Sequence, residues 1–302
     1  MIDEVRFLPA SSFALDTLAD IFTRSFENYF YPGVTTVEVL ARRARIESLD
    51  LRHSLVMLAG EETAGQAMIG LRGERAWCGG FGVLLPFRGR GLARPLAAAM
   101  LDQARQAGAR TFSLEVLTRN ERAIRAYTGA GLRTRRDLLI LEWRSHEEPR
   151  TENGHPQGQP RTEQRPASSD ERSAIDESTL VGEVAEPARL LDRFAPLHLA
   201  PAAWQRDLPA LLVQGGLRGL AIPAGETAAA YLLYQAGADG SARITDLGAT
   251  QAAQAGALLA ALQAHFVRLI TVNEPADSPL IAAFESAGFV ETDRQHEMWI
   301  EL

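Results

Sequence analysis

The 302-residue chain contains no lysine, so arginine supplies all 31 of its basic residues. Without lysine it cannot carry a nucleotide-binding P-loop, whose Gly-Lys-Ser/Thr sequence needs that side chain. Its single cysteine, Cys78, excludes an internal disulfide framework and is typical of proteins in a reducing cytoplasm. The six histidines show no paired spacing, so we expect no metal site.

Long apolar runs are also absent. No segment approaches the ~20 apolar residues that a membrane helix needs, and the acidic start of the chain is unlike a signal peptide. The net charge of −7 argues against nucleic acid as a partner, because such binding depends on basic residues that neutralise phosphates. We therefore expect a cytoplasmic protein that binds neither membranes nor nucleic acids.

The apolar sequence that is present suffices for two cores. Hydrophobic residues make up 46% of the chain, and its length is typical of about two domains. Residues 145–179 are almost all polar, charged or proline, and such a segment cannot bury enough surface to offset the entropy lost on ordering. We predict an N-terminal domain at 1–144, a flexible polar linker at 145–179 and a C-terminal domain at 180–302.

The first motif is a junction between a predicted strand and a predicted helix. The apolar Gly82–Leu85 segment leads into Arg88-Gly89-Arg90-Gly91-Leu92-Ala93, and an Ala/Leu-rich segment follows. Free N–H groups at a helix start, together with the positive end of the helix dipole, favour an anion. The two glycines leave room for a pyrophosphate against the backbone. A dinucleotide-binding fingerprint fits less well, because Arg94 occupies its third small position.

A second motif follows in the next predicted strand and helix. Thr111–Leu117 is rich in β-forming residues and predicts a short strand. Asn120 is a favourable residue to begin a helix, and Gly129 or Gly131 to end it. Tyr127 lies in the last turn of that predicted helix.

Together, the two motifs closely resemble the signature of the GNAT acyltransferase superfamily, and the ribosomal-protein alanine N-acetyltransferases in particular. The matching residues are Arg88-x-x-Gly91-x-Ala93 and Leu114-Glu115-Val116-x-x-x-Asn120-x-x-Ala123-Ile124-x-x-Tyr127-x-x-x-Gly131-Leu132. The resemblance covers roughly residues 4–143. It implies an acetyl-CoA-dependent N-acetyltransferase of the α/β (α+β) class, in which helices flank a mixed, mostly antiparallel central sheet.

The C-terminal region repeats the first in weaker form. Ala123–Leu132 is matched by Leu280–Phe289, and each stretch leads into a terminal strand that ends near a tryptophan. We therefore predict two tandem GNAT folds. This doubled layout resembles that of the mycothiol synthases.

The two copies differ where the chemistry is expected. The second copy has Gly248-Ala249-Thr250-Gln251 in place of the glycine-rich loop, and Phe284 in place of Tyr127. We expect the second copy to bind acyl-CoA poorly, and catalysis to occur in the N-terminal copy. The resemblance to mycothiol synthases would instead place catalysis in the C-terminal copy, which argues against a mycothiol substrate.

The resemblance also implies roles for single residues. Tyr127 would be the acid that protonates the leaving thiolate, and Glu115 the base that deprotonates the amine. Acyl-CoA would be held by residues of the strand, the loop and the helix starts: Phe81, Gly82, Val83, Arg88, Gly89, Arg90, Gly91, Leu92, Ala93, Arg94 and Asn120. Gly79-Gly80, just before this strand segment, would let it bend. The alternatives are a packed tyrosine with a satisfied hydroxyl, and pairing of Glu115 with Arg119 or Arg122.

The acceptor, in this interpretation, is a primary amine of a small molecule or peptide. The aromatic segment Phe26–Pro32 falls where GNAT folds line the acceptor channel, so Tyr29, Tyr31 and Glu27 are candidate contacts, with plain packing as the alternative. A non-catalytic acyl-CoA sensor is the alternative function. Transfer from a charged tRNA is disfavoured by the acidic charge, and a homodimer is compatible with the sequence.

Overall fold

The structure is a computed structural model that describes residues 4–31, 33–145 and 183–302. Side chains are described throughout these ranges except at 183–185. Apart from Ser145, the predicted linker at 145–179 lies outside the described residues. The domain boundaries at 144 and 180 therefore stay a prediction.

The N-terminal half begins with a strand and two helices and continues with strands and helices in alternation. Its described strands are β1 (Val5–Pro9), β2 (Leu55–Ala59), β3 (Glu62–Arg72), β4 (Arg75–Val83), β5 (Thr111–Leu117) and β6 (Arg133–Arg144). Its described helices are α1 (Leu15–Ser25), α2 (Val37–Ile46), α3 (Ala93–Gln106) and α4 (Glu121–Gly129).

The C-terminal half repeats this order. Its described strands are β7 (Glu183–Ala185), β8 (Arg218–Ala224), β9 (Thr227–Ala236), β10 (Ser241–Ala249), β11 (Arg268–Pro275) and β12 (Val290–Glu301). Its described helices are α5 (Pro187–Leu191), α6 (Phe194–Leu197), α7 (Leu208–Val213), α8 (Ala252–Gln263) and α9 (Ile281–Ser286). From β8 to β12 the sequence of elements matches that from β2 to β6, as a tandem repeat requires. Within the described ranges, no helix has the length and apolar character needed to cross a membrane.

Local sequence explains how the helices of the N-terminal half begin and pack. In α1, Leu18, Ile21 and Phe22 recur at helical spacing and are buried against the sheet. Helix α4 begins after Asn120, whose side chain accepts a hydrogen bond from Ala123 N at 3.3 Å. Asn120 is thus the helix-capping residue that its sequence position predicts.

A single mixed sheet runs through both halves. The described strands are hydrogen-bonded in the order β1-β2-β3-β4-β5-β12-β6-β11-β10-β9-β8-β7. Among them, the pairs β4–β5 and β10–β11 are parallel and the other pairs are antiparallel. The predicted fold class, a mixed and mostly antiparallel sheet flanked by helices, is confirmed.

The two halves exchange their last strands. β12 lies between β5 and β6, so the final strand of the C-terminal half is bonded on both edges to strands of the N-terminal half. In return, β6 lies between β12 and β11. In this register Glu297 of β12 pairs with Glu115 of β5, and Leu139 of β6 pairs with Glu274 of β11. Main-chain hydrogen bonds therefore join the two copies.

The exchange also carries apolar side chains from each half into the core of the other. Met298 of β12 belongs to the apolar cluster that α1, α3 and the N-terminal strands enclose. Leu139 and Leu141 of β6 belong to the cluster beneath α8 and α9. Burial of one such side chain stabilises a fold by roughly 1.5–3 kcal/mol. Neither core is complete without a strand of the other half.

Ending the chain at residue 145 should therefore prevent the N-terminal half from folding as a stable monomer. The fragment would lack β12, so β5 and β6 would lose their shared neighbour and the core would lose Met298. Circular dichroism and size-exclusion chromatography should show that the fragment lacks the cooperative thermal unfolding expected of the full chain. A monomeric fragment that melts as cooperatively as the full chain would contradict this view.

Candidate active site

The strand predicted to bind acyl-CoA lies at an opening in the sheet. β4 and β5 are paired in parallel from Arg75–Thr111 to Trp77–Ser113, and then they separate. Beyond that point Phe81-Gly82-Val83 keep their pairing with β3, while their other edge faces the opening. Main-chain N–H groups on that edge therefore have no partner among the described strands.

A β-bulge at Gly79 bends β4 where it leaves β5. Two consecutive residues of β3 pair with Cys78 and Gly80, so Gly79 is an extra residue in β4. Helix α1 packs closely against the bent segment, because a Cβ on Gly80 would lie 2.5 Å from the ring of Phe22. The two glycines thus permit both the predicted bend and the close approach of α1.

The loop between β4 and α3 presents unbonded main-chain donors. Gly89 and Gly91 have φ values of 77° and 80°, and a Cβ on either would meet no atom within 4 Å. Leu92, which precedes the first residue of α3, makes no side-chain capping bond. Among the described residues, the main-chain N–H groups of 91–94 have no hydrogen-bond acceptor. This arrangement suits an anion at the positive end of the α3 dipole.

The side chain of Arg88 supports the loop from beneath. Its guanidinium group donates to the main-chain oxygens of Val83 at 2.8 Å, Glu27 at 2.8 Å and Ser25 at 3.1 Å. These bonds connect the end of β4 to the end of α1. Arg90 is different, since it is exposed and lies over the Phe87 ring at 5.4 Å. Arg88 therefore fixes the position of the loop, whereas the positive charge of Arg90 is exposed to solvent.

Glu115 lies on β5 just past the point where the strands separate. Its Oε2 accepts hydrogen bonds from Trp77 Nε1 at 2.7 Å and from Gln205 Nε2 at 3.4 Å. Its Oε1 is buried and has no hydrogen-bond partner among the described residues. Pairing with Arg119 is not found, because that arginine binds Asp293 Oδ2 at 2.5 Å.

Burial has the largest influence on Glu115 and raises the pKa of its carboxyl group to about 8. The hydrogen bonds from Trp77 and Gln205 act in the opposite direction, because they stabilise the ionised form. The carboxylates of Glu297 and Glu47 raise this pKa further. At neutral pH the group is therefore mainly protonated but still able to ionise.

Tyr127 lies in α4 on the other side of the opening. Its ring packs edge-on against Phe81, with 5.3 Å between the ring centroids. Its hydroxyl makes no hydrogen bond to any described residue, so it is not a packed tyrosine with a satisfied hydroxyl. Burial, with smaller effects of Cys78 and Tyr29, raises the pKa of Tyr127 well above its ordinary value. The phenol keeps its proton across the physiological range.

Glu115 and Tyr127 reach the opening from different surroundings. Glu115 shares a face of the sheet with Trp77, and its carboxyl group is bound by Trp77 and Gln205. Tyr127 packs in the apolar cluster of the N-terminal half. The opening is thus bordered by a carboxyl group and by a phenol.

The aromatic segment after α1 closes over one end of the opening. Tyr31 donates a hydrogen bond to Asp293 Oδ2 of β12 at 2.5 Å, and the Arg119 guanidinium lies 4.5 Å from the centroid of the Phe30 ring. Tyr29 lies deeper, and burial raises its pKa against the opposing effect of a hydrogen bond with Asn120. The exposed Glu27 side chain does not join this group.

Sequence reasoning missed three residues of the site. Trp77 and Gln205 bind Glu115, and Asp293 binds both Tyr31 and Arg119. Gln205 and Asp293 belong to the C-terminal half, so no local spacing connects them to the N-terminal motifs. For Trp77 a signal existed, because an indole on the strand beside Glu115 needs an acceptor when it is buried.

The second copy has a much shorter connection in place of the loop between β4 and α3. β10 ends at Ala249 and α8 begins at Ala252, so two residues make the connection that residues 84–92 make in the N-terminal copy. Neither of these two residues is a glycine. Phe284, at the position of Tyr127, is completely buried in the apolar core. The second copy therefore offers neither the unbonded loop nor a phenol at the position of Tyr127.

Charged groups instead lie in a cleft of the second copy. Asp246 accepts a hydrogen bond from Tyr231 OH at 2.7 Å and lies 3.0 Å from His198 Nε2, while Arg206 binds Glu274. Burial acts to raise the pKa of Asp246, but His198 and Arg206 lower it overall. Each buried charge here has a partner. No group of three His, Cys, Asp or Glu side chains in the described ranges is placed to hold a metal ion.

Glu115 should make the stability of the protein depend on pH in a defined direction. An acid whose pKa is higher in the folded than in the unfolded chain weakens folding as the pH rises, because the folded state binds more protons. For Glu115 this loss begins near 4.5 and is complete above about 8. Glu115→Gln should therefore stabilise the protein near pH 9, by on the order of 2–4 kcal/mol, and have little effect near pH 5. Chemical denaturation at both pH values measures this difference, and equal effects would contradict it.

Comparison with known proteins bears on both halves. Residues 15–132 match the model of the acetyltransferase (GNAT) family. The whole chain is similar in structure to a tandem GNAT protein from the clavulanic acid biosynthesis pathway, with 17% identity, a TM-score of 0.63 and coverage of 99% of this chain and 98% of that one. A GCN5-related N-acetyltransferase from Sphaerobacter thermophilus has 17% identity, a TM-score of 0.61 and coverage of 98% and 95%. A putative acetyltransferase from Pyrococcus horikoshii has 14% identity, a TM-score of 0.59 and coverage of 99% and 89%. No match was found among curated protein sequences.

The family match falls on the half that contains the unbonded loop and Tyr127. At 14–17% identity the solved structures show the fold, and they extend it over both copies. Residues 15–132 thus match the acetyltransferase (GNAT) family, and the whole chain has a tandem GNAT fold.

Proposed function

We propose that the N-terminal copy uses acetyl-CoA, or another acyl-CoA, to acylate the primary amine of a small molecule or peptide by direct attack. One observation carries the proposal. The opening between β4 and β5 is bordered by main-chain donors, a carboxyl oxygen and a phenol that have no hydrogen-bond partner in the described part of the chain. Unsatisfied polar groups are rare in folded proteins and concentrate at functional sites. The second copy has paired charges at the corresponding place.

The residues around the opening fit an acyl-CoA. The start of α3, with Gly89 and Gly91 before it, would hold the pyrophosphate through main-chain N–H groups. The free edge of Phe81-Gly82-Val83 would hold the pantetheine arm, and Asn120 would contact the same arm. Arg90 and Arg94 are exposed beside this loop and would add positive charge. Acetyl-CoA supplies a thioester whose carbonyl carbon accepts an amine.

Glu115 is the proposed base. An amine can attack only after its ammonium form has lost a proton, and Glu115 Oε1 accepts no hydrogen bond from any residue that the structure describes. The ionised form of Glu115 takes that proton and becomes a neutral carboxylic acid. Trp77 holds the other oxygen and thereby fixes the direction of Oε1.

Tyr127 is the proposed acid. Its phenol lies beside Phe81, the residue at which the free edge of β4 begins, and its hydroxyl has no other described partner. It would give its proton to the sulfur that leaves with CoA. Burial raises the pKa of Tyr127, and a thiolate formed in the same apolar surroundings also gains proton affinity, so the transfer remains favourable.

The acceptor side combines aromatic and acidic groups. Tyr29 lies near both Asn120 and Tyr127, so it can pack against the apolar part of an amine. Tyr31 is bonded to Asp293 and forms the outer rim. A carboxyl group inside and an aromatic wall outside are suited to an amine that carries an apolar substituent.

Tyr127→Phe should lower turnover by roughly 10²–10⁴-fold and leave the affinity for CoA nearly unchanged, because only the acid is removed. Release of CoA should be measured for the wild type and the variant across a panel of primary amines, with calorimetric titration of CoA alongside. Turnover equal to the wild type would remove Tyr127 from the mechanism. A wild type that binds CoA but releases none with any amine would favour the non-catalytic sensor.

Gly91→Val should weaken CoA binding by about tenfold or more, because its side chain would occupy the place of the pyrophosphate and strain a φ of 80°. Gly108→Val is a matched control. Gly108 has a φ of 82°, and a Cβ there also meets no atom within 4 Å, but it lies beyond the opposite end of α3. Calorimetry should show CoA affinity reduced in the first variant only. Equal affinities would count against the loop as the phosphate site.

A further inference from the structure

A segment of the C-terminal half is docked on the Glu115 face of the N-terminal half. The ring of Trp204 stacks on Trp77, with 5.7 Å between centroids and 6° between planes. Trp204 Nε1 donates to the main-chain oxygen of Glu47 at 2.9 Å, and Arg72 Nη1 donates to the main-chain oxygen of Trp204 at 2.8 Å. Arg75 binds Asp207 at 2.6 Å. These contacts fix the segment on both sides of Gln205.

Gln205 is the last donor in a chain of side-chain amides that points at the carboxyl group. Gln295 Nε2 donates to Asn273 Oδ1 at 2.6 Å, and Asn273 Nδ2 donates to Gln205 Oε1 at 3.0 Å. Gln205 Nε2 then donates to Glu115 Oε2 at 3.4 Å. Gln295 is on β12 and Asn273 on β11, so the C-terminal half supplies every amide in the chain.

We propose that Gln205 is a positioning residue that the C-terminal copy supplies to the active site of the N-terminal copy. It orients the Glu115 carboxyl group and favours its ionised form. The inference rests on the base role proposed above for Glu115. Because Trp77 and Gln205 both bind Oε2, Oε1 is left for the ammonium proton. When that proton moves to Oε1, the amine becomes neutral and so does the carboxyl group.

The carboxylates that face Glu115 oppose its ionisation. The hydrogen bonds that it accepts act in the opposite direction, because they favour the ionised form. Glu297 on β12 pairs directly opposite Glu115, and its carboxylate is held by Arg136 Nε at 2.7 Å. Glu47 follows α2 and is held by Arg43 at 3.0 Å. Both carboxylates raise the pKa of Glu115, as burial does. The hydrogen bonds from Trp77 and Gln205 lower it, and Gln205 is one of the two donors to Glu115 among the described residues.

The test is Gln205→Met, which keeps the length of the side chain and removes the donor. The acidic limb of the pH profile of kcat/KM should move up by about one pH unit, because a donor to the ionised form is lost. At pH 7 the loss should be roughly tenfold, and near pH 10 it should vanish. Asn273→Gly removes the group that holds Gln205, is compatible with the φ of 62° there, and should move the limb less in the same direction.

Gln263→Met is the matched control. Gln263 is also partly buried in the C-terminal half, and its amide binds the main-chain oxygen of Ala287 at 2.7 Å, away from Glu115. This variant should leave the pH dependence of kcat/KM unchanged. A loss in Gln205→Met that is equal at all pH values would mean that Gln205 has only a structural role, and would overturn the inference.

A second readout does not depend on turnover. Protein labelled with ¹³C at the glutamate carboxyl carbon gives a titration curve for Glu115, assigned by the signal missing in Glu115→Gln. The midpoint should rise in Gln205→Met and stay constant in Gln263→Met. An unchanged midpoint in Gln205→Met overturns the inference, whether or not the enzyme is active. A raised midpoint with an unmoved activity profile upholds the contact between the copies and removes Glu115 from the base role.

Discussion

The exchange of β6 and β12 is the constraint on which the rest of the structure depends. Because β12 is bonded to β5, the strand that carries Glu115 has a neighbour from the other copy along one edge. This places Glu297 directly opposite Glu115 and brings Asp293 to the end of Tyr31. A carboxylate beside a buried carboxyl group disfavours a second negative charge, so the electrostatics of the N-terminal site are set partly by the C-terminal strand. The two copies are therefore one folding unit, although the sequence shows them as separate repeats.

The corresponding openings of the sheet in the two copies contain different groups. In the second copy Asp246 and Arg206 are deeply buried, and each has at least one hydrogen-bond partner. Removing either member of such a buried pair would be strongly destabilising, because the other charge would be left without a partner. In the first copy the loop N–H groups, Glu115 Oε1 and the Tyr127 hydroxyl lack partners among the described residues. Such groups weaken the fold, and their accumulation at one opening is reasonable only if a bound molecule satisfies them.

Local features were predictable because they depend on neighbouring residues. The glycine-rich loop, the capping role of Asn120 and the bend at Gly79-Gly80 follow from turn chemistry and helix signals within a few positions. The strand exchange was not predictable, since β6 and β12 carry similar patterns and nothing in a pattern states which edge a strand will join. Gln205 lies in a short helical turn with no motif of its own, so only the fold brings it to Glu115. Arg88 was predicted among the residues that hold acyl-CoA, and only the fold shows that three main-chain oxygens accept from its side chain.

The raised pKa of Glu115 is useful in its proposed role because of the proton it must accept. An aliphatic ammonium has a pKa of about 10, so transfer to a carboxylate with an ordinary pKa of about 4.5 would be unfavourable by roughly 7–8 kcal/mol. With the pKa of Glu115 at about 8, that difference falls to roughly 3 kcal/mol.

The raised pKa also has a cost, because only about one molecule in ten is ionised at pH 7. That cost is about 1.4 kcal/mol, less than a third of what the transfer gains. Stronger hydrogen-bond donors than Trp77 and Gln205 would increase the ionised fraction of Glu115. They would also lower its pKa, and proton transfer from the ammonium group would again become strongly unfavourable. Glu115 accepts two hydrogen bonds on one oxygen, and one of them is long. Together they keep its pKa between a value too low to accept the proton and a value too high to ionise near pH 7.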